Sequence, residues 1–155
     1  MRELLIRKLE AVELDSVRAV VRRVVDETYG GLWVPAPLPI GDEDLSLALV
    51  AIVEMRVVGM VLTQKDWISD LWVLRENRGY GVGRRLLASG EAEIAERGFG
   101  TFRLRVVKSN AAAVSFYVRN GWHVTREFPH ETLPVTMLEM NKLALKSAAG
   151  APLET

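Results

Sequence analysis

The sequence predicts a mixed α/β domain, an α+β sheet of six to seven strands with about four helices, and three observations carry that prediction. At 155 residues one folding unit is the economical solution, long enough to bury roughly two-thirds of its unfolded surface. Short β-branched and aromatic runs are interleaved with helical periodicities instead of being segregated from them. A glycine-rich turn, Gly79-Tyr80-Gly81-Val82-Gly83, stands directly between a strand pattern and a helix pattern.

Leu4 to Leu9 reads as the opening strand. From Glu13 to Tyr29 the apolar positions Val17, Val20, Val21, Val24 and Val25 fall on one helical face. Valine is a poor helix former, so packing must hold this helix. It is expected to end at Gly30-Gly31, and three prolines between Leu32 and Gly41 forbid regular structure across the connection that follows. Asp42-Glu43-Asp44 is a local acidic run, read either as a solvated loop or helix start, or as an attractor for a cationic amine.

Leu47 to Met55 and Val57 to Thr63 read as adjacent strands with a turn near Arg56, and Trp67 to Leu74 completes an antiparallel meander. Alternation puts Trp67, Ser69, Leu71 and Val73 on one face of that third strand and Ile68, Asp70 and Trp72 on the other. After the glycine turn, Val82, Leu86, Leu87, Ile94 and Ala95 give a helix one apolar face. Thr101 to Val107 is the next strand, Asn110 to about Arg119 a helix, and Trp122 to Phe128 with Thr136 to Leu143 a closing pair. The small, polar tail from Lys146 is expected to fray. The order is β-α-(α)-β-β-β-α-β-α-β-β, with one domain over 1–145 and a tail over 146–155.

Composition removes several function classes. Lysine plus arginine equals aspartate plus glutamate at 20 each, so no global field draws the chain to nucleic acid or anionic membrane. There is no cysteine, which removes a disulfide framework, a thiolate zinc site and an acyl-cysteine intermediate. No apolar run reaches membrane-spanning length and the first residues lack a signal-peptide core. A soluble, cytoplasmic protein without a metal is expected.

The chemistry concentrates in the glycine turn. Glycines without a Cβ let the backbone turn tightly and press its N–H groups against a ligand. The first N–H groups of the following helix lack internal partners and sit at the positive end of its dipole, so a phosphate or pyrophosphate is the favoured ligand. Arg78 and Arg84 add charge-assisted contacts. The turn lacks the Gly-Lys-Ser/Thr ending of an NTPase phosphate loop, and no acidic residue closes the next strand as a dinucleotide fingerprint requires.

Arg78-Gly79-Tyr80-Gly81-Val82-Gly83 fits R/Q-x-x-G-x-G/A. Asn110, Ala113, Phe116, Tyr117, Asn120, Gly121 and Trp122 fit N-x-x-A-x-x-x-Y-x-x-x-G-F/W further along. On these two motifs the chain resembles the GCN5-related N-acetyltransferase superfamily. The resemblance implies a sheet splayed between its fourth and fifth strands, with the pantetheine arm of acetyl-coenzyme A in the gap. It implies that Arg78, Gly79, Tyr80, Gly81, Val82, Gly83 and Arg84 hold the pyrophosphate, that Leu71 and Val73 offer backbone groups to the arm, and that Asn110 contributes to the coenzyme site. Tyr117 is implied as the general acid that protonates the leaving sulfur. Asn110 also has a plain reading as a helix N-cap, and Tyr117 as a core aromatic. The loop after the first helix is implied to line the acceptor side, so Trp33 and Tyr29 either face the acceptor or pin the loop.

The chain departs from the best-studied relatives at the base. Their fourth-strand glutamate falls near Trp67 here, and Asp66, Asp70, His123, His130 and Glu139 are candidates without a clear placement, so no base is assigned. The expected activity is transfer of acetyl from acetyl-coenzyme A directly to a primary amine, on a small molecule or a protein, in a ternary complex. The alternative is a non-catalytic acyl-coenzyme A sensor. A homodimer is compatible with either.

Overall fold

The computed structural model describes residues 3–29 and 45–145, with Tyr29 in its backbone only. The expected 30–41 loop with Trp33, the acidic run Asp42 to Asp44 and the tail from Lys146 lie outside the described residues. Seven strands form one sheet in the order β1-β2-β3-β4-β5-β7-β6. The strands are β1 (Leu4–Lys8), β2 (Leu49–Val53), β3 (Arg56–Gln64), β4 (Trp67–Val73), β5 (Thr101–Val107), β6 (His123–Pro129) and β7 (Thr136–Leu143). Among the described residues there are three α-helices, α1 (Leu14–Tyr29), α2 (Val82–Glu96) and α3 (Ala111–Arg119), and three 3₁₀ turns. The mixed character lies in one step: β4 and β5 run parallel, with Trp67 opposite Arg103, whereas β1–β2, β2–β3, β5–β7 and β6–β7 are antiparallel.

By their contacts the residues form two compact units, Met1–Gln64 with Ile68–Glu93, and Lys65–Trp67 with Ile94–Thr155. In the first, β3 is buried from Val58 through Thr63, as a strand covered on both faces must be. One face meets α1: Val17, Val21 and Val25 close over Val50, Met60 and Leu62. These valines hold α1 by burial, since β-branched side chains disfavour helix intrinsically. Arg7 starts the helix by gripping Glu13 with both nitrogens, at 2.8 and 2.6 Å, while Glu13 caps the backbone N–H of Glu10 at 2.9 Å.

The other face meets α2, where Val82, Leu86, Leu87 and Ile94 are buried. Ala95, expected on that face, is exposed. Gly90 takes part instead: a Cβ there would lie 2.9 Å from Ile68 Cδ1 and 3.0 Å from Val61 Cγ2. Only glycine allows the helix so close. Ile68 thus faces α2, and so does Val73, which a Cβ at Gly59 would meet at 3.3 Å beside Leu86 at 3.0 Å. Two positions five apart cannot share a face in a regular strand. The alternation expected for β4 is therefore broken once, and Trp72 packs with the α1-side cluster.

The β2–β3 turn falls at Glu54-Met55, one residue before the expected Arg56, with both residues at positive φ (50° and 65°). That is the primed hairpin geometry which matches strand twist, reached here without the Asn-Gly that usually signals it. In the second unit, Phe102, Leu104, Val106, Met140 and Trp122 form the core. Trp122 packs its ring 6.3 Å from Phe102 and 6.1 Å from Tyr117. The β3–β4 turn belongs to this unit because Asp66 takes a bidentate contact from Arg103, at 2.8 and 3.1 Å.

Candidate functional site

The glycine turn begins where β4 ends. Leu74 donates its N–H to Val58 O at 2.9 Å, and a 3₁₀ turn over Arg75–Asn77 follows, its last residue, Asn77, buried. Gly79 and Gly81 then adopt φ of +86° and +85°, values that cost an L-residue with a side chain about 1–2 kcal/mol. Helix α2 starts at the next residue, Val82, and its first helical bond in the turn is Arg85 N to Gly81 O at 3.1 Å.

The space over the turn is open. A Cβ at Gly79 would meet nothing within 4 Å, and one at Gly81 only Arg84 Nη2 at 3.9 Å. The glycines are thus not required by neighbours packed against them, unlike Gly90. Their conformation turns the chain into the helix start at Val82, and the first N–H groups of a helix, having no intrahelical partners, suit an anion. Arg84 reaches back over the turn, while Arg78 donates its Nε to Val73 O at 3.1 Å. Arg78 therefore ties the end of β4 to the turn as well as bringing a charge there. Tyr80 is 72% exposed, Val82 is buried, Gly83 and Leu71 are half-buried, and Arg84 is exposed.

Asn110 and Tyr117 belong to the second unit. Asn110 precedes α3 and its Oδ1 accepts the N–H of Ala113 at 3.2 Å, which is the N-cap role. Tyr117 is half-buried on α3, with its ring edge-on to Phe116 at 5.3 Å and to Trp122 at 6.1 Å. Its carbonyl accepts from both Asn120 N and Trp122 N at 3.0 Å, so the Asn-Gly-Trp end of the motif serves to stop the helix, with Gly121 at φ +92°.

Four of the five base candidates are engaged by other groups. Asp66 is bound to Arg103, and buried Asp70 accepts from Trp72 Nε1 at 3.3 Å. His130 Nδ1 accepts the N–H groups of Thr132 and Leu133 at 3.0 and 3.1 Å, and Glu139 pairs with Arg126. His123 is exposed. Trp67, near which a glutamate is sought, lies under the Arg103 guanidinium, 4.2 Å from Cζ to ring centroid. The sequence reading overlooked the face this contact belongs to. Arg103, Arg105, Arg126, Trp67 and Phe128 form a run of guanidinium–ring contacts of 4.2–5.6 Å. The alternation Arg-Leu-Arg in β5 carries its signal.

No group of three or more metal-ligating side chains comes together among the described residues. No helix among them is long and apolar enough to cross a membrane.

The profile of the acetyltransferase (GNAT) domain matches residues 40–144. No curated protein matches the sequence. Among solved structures, the fold is similar to that of the PaiA N-acetyltransferase from Thermoplasma acidophilum in complex with coenzyme A, with TM-score 0.75, 21% identity and coverage of 91% of this chain and 99% of that one. It is similar to the ribosomal-protein-S18-alanine N-acetyltransferase from Escherichia coli, with TM-score 0.69, 20% identity and coverage of 99% and 100%. A Bacillus anthracis protein in complex with acetyl coenzyme A aligns at TM-score 0.69 and 17% identity, over 91% and 98% of the two chains.

Proposed function

Because the chain belongs to the GNAT acetyltransferase family, we propose that it carries acetyl from acetyl-coenzyme A directly to a primary amine, both substrates being bound together. The observation that carries this reading is the open turn at Gly79 and Gly81, positive in φ at the head of α2. Its backbone N–H groups and Arg84 suit the pyrophosphate, with Arg78, Tyr80, Val82 and Gly83 completing the loop. The end of β4, through Leu71 and Val73, is assigned to the pantetheine arm. We read residues 1–145 as the catalytic domain.

In the step itself the neutral amine nitrogen attacks the thioester carbonyl carbon. The C–N bond forms, the C–S bond breaks, and the amine proton leaves to solvent or to a water chain. Tyr117 gives its phenolic proton to the departing sulfur. A phenol near pKa ~10 and a thiol near ~8.5 are close enough for that donation. The absence of cysteine supports direct transfer, since no thiol is present to hold the acetyl group covalently.

Initial rates over a grid of acetyl-coenzyme A and amine concentrations test the kinetic order. Intersecting double-reciprocal lines fit the ternary complex; parallel lines contradict it.

A further inference from the structure

On β5 the side chains of Phe102, Leu104 and Val106 are buried, which leaves Arg103 and Arg105 on the opposite face of the strand. Register sets Arg105 across from Glu139, and Glu139 across from Arg126. All of these residues, with Trp67, Phe128 and Glu131, lie in the second unit.

The three arginines differ in how firmly they are engaged. Arg103 is held by both oxygens of Asp66, whose side chain is only 18% exposed. Arg126 pairs with Glu139, whose side chain is 14% exposed. Arg105 has one carboxylate contact among the described residues, Nη1 to Glu131 Oε2 at 3.3 Å, and Glu131 is 64% exposed. The Arg126 pair is of the same 3.3 Å length, so the difference lies in the partner: an ion pair to a carboxylate as solvated as Glu131 is worth little and is easily exchanged.

The guanidinium of Arg105 is nevertheless well placed. Its Cζ lies 5.0 Å from the Phe128 ring and 5.6 Å from the Trp67 ring. Two aromatic neighbours limit where a planar cation can lie, and a fixed guanidinium fork matches a carboxylate bidentately. The carboxyl of Glu131 is held below its ordinary pKa, first by its own backbone N–H and next by Arg105, so it is itself an anion.

The geometry points to Arg105 as the anchor for a carboxylate carried by the amine acceptor, with Glu131 occupying that place until the acceptor arrives. This rests on the amine-acetylation reading above and narrows its substrate class to amines that also bear a carboxylate. Free amino acids and acidic peptides share that chemistry. A polyanion fits less well, because Asp66, Glu131 and Glu139 balance the three arginines on this face.

The test compares β-alanine with β-alaninamide, and an N-terminally acidic tetrapeptide with the same peptide amidated at its acids, in steady-state acetylation by the full chain. Each carboxylate-bearing amine is expected to have the lower KM of its pair, and the pair with the larger gap identifies the source. Arg105→Gln is expected to raise KM for the carboxylate-bearing amines about 10- to 100-fold, with kcat little changed. Glu131→Gln is expected to lower the same KM several-fold, a gain that a merely structural ion pair does not produce. Arg105→Lys is expected to restore only part of the loss, since it keeps the charge without the fork. Equal KM values within both pairs, or a Glu131→Gln variant no better than wild type, overturn the assignment. Coenzyme A titration of the same preparations separates the two readings, since its failure counts against the acetyl-transfer reading itself.

Discussion

Gly81 and Gly90 are both glycines beside α2, and the structure gives them opposite reasons to be glycine. At Gly81 the backbone sits at φ +85° and an added Cβ meets only Arg84 Nη2 at 3.9 Å. Gly81→Ala therefore costs left-handed backbone strain of about 1–2 kcal/mol and no clash. For a chain of this size that lowers the melting temperature by about 2–8 °C. The new methyl stands on the open side of the turn, where the pyrophosphate is assigned. Loss of one charged hydrogen bond there weakens coenzyme A binding by about 10- to 100-fold. At Gly90 the added Cβ falls 2.9 Å from Ile68 Cδ1, 3.0 Å from Val61 Cγ2 and 3.2 Å from Thr63 Cγ2. Gly90→Ala overpacks the helix–sheet contact by about 1–3 kcal/mol, offset in part by about 1 kcal/mol of helix propensity. Coenzyme affinity is expected to stay at the wild-type value. Calorimetric titration with coenzyme A and thermal melts on both variants give the comparison. A Gly81→Ala protein that melts lower yet binds coenzyme A as wild type does refutes the pyrophosphate assignment and leaves the turn as a connection.

Tyr117→Phe keeps the ring contacts with Phe116 and Trp122 but loses the hydroxyl. Turnover is expected to fall towards the lower end of the ~10²–10⁴-fold range for general acids, since a thiolate leaves tolerably unaided, with coenzyme affinity kept on the same preparation. Asn110→Ala removes the Oδ1 acceptor at the start of α3 and is expected to cost about 1 kcal/mol in denaturant unfolding. Trp33→Ala, in the stretch that the resemblance implies lines the acceptor side, is expected to change amine activity more than coenzyme affinity, and a parallel loss of both makes that loop structural. Glu13 is depressed from 4.5 to about 2, chiefly by its hydrogen bond from Arg7 and then by the Glu10 backbone. A carboxyl whose folded pKa is lowered stabilises the fold above its unfolded value and loses that contribution as pH falls. Unfolding midpoints are therefore expected to drop between pH 4.5 and 2, and Glu13→Gln to flatten that limb.

Much of the fold was legible because its signals are local. The valine face of α1 and the apolar runs of β2 and β3 say where they are buried without any knowledge of neighbours. The glycine turn was legible because its residue type is dictated by backbone conformation. What escaped the sequence depends on partners distant in the chain. Gly90 reads as a helix defect until Val61 and Ile68 are seen against it. The break in β4 alternation has no residue signature, and it decides which way Asp70 and Trp72 point. The Glu54-Met55 turn lacks turn residues altogether. Arg105 looks like one more surface charge until Phe128 and Trp67 are brought alongside. Asn110 illustrates a further reason: the same residue type satisfies a helix start and a coenzyme motif, so sequence alone does not separate the two roles.

In the proposed reaction acetyl moves from the coenzyme to an amine without resting on the protein. Incubation with acetyl-coenzyme A carrying a deuterated acetyl group, followed by mass spectrometry of both the amine panel and the intact chain, tests it directly. The expected result is an amine heavier by one labelled acetyl group, with free coenzyme A formed in equal amount and the protein mass unchanged. Coenzyme binding with no labelled amine, or a labelled protein that forms before the amine and is chased into it, rules out direct transfer.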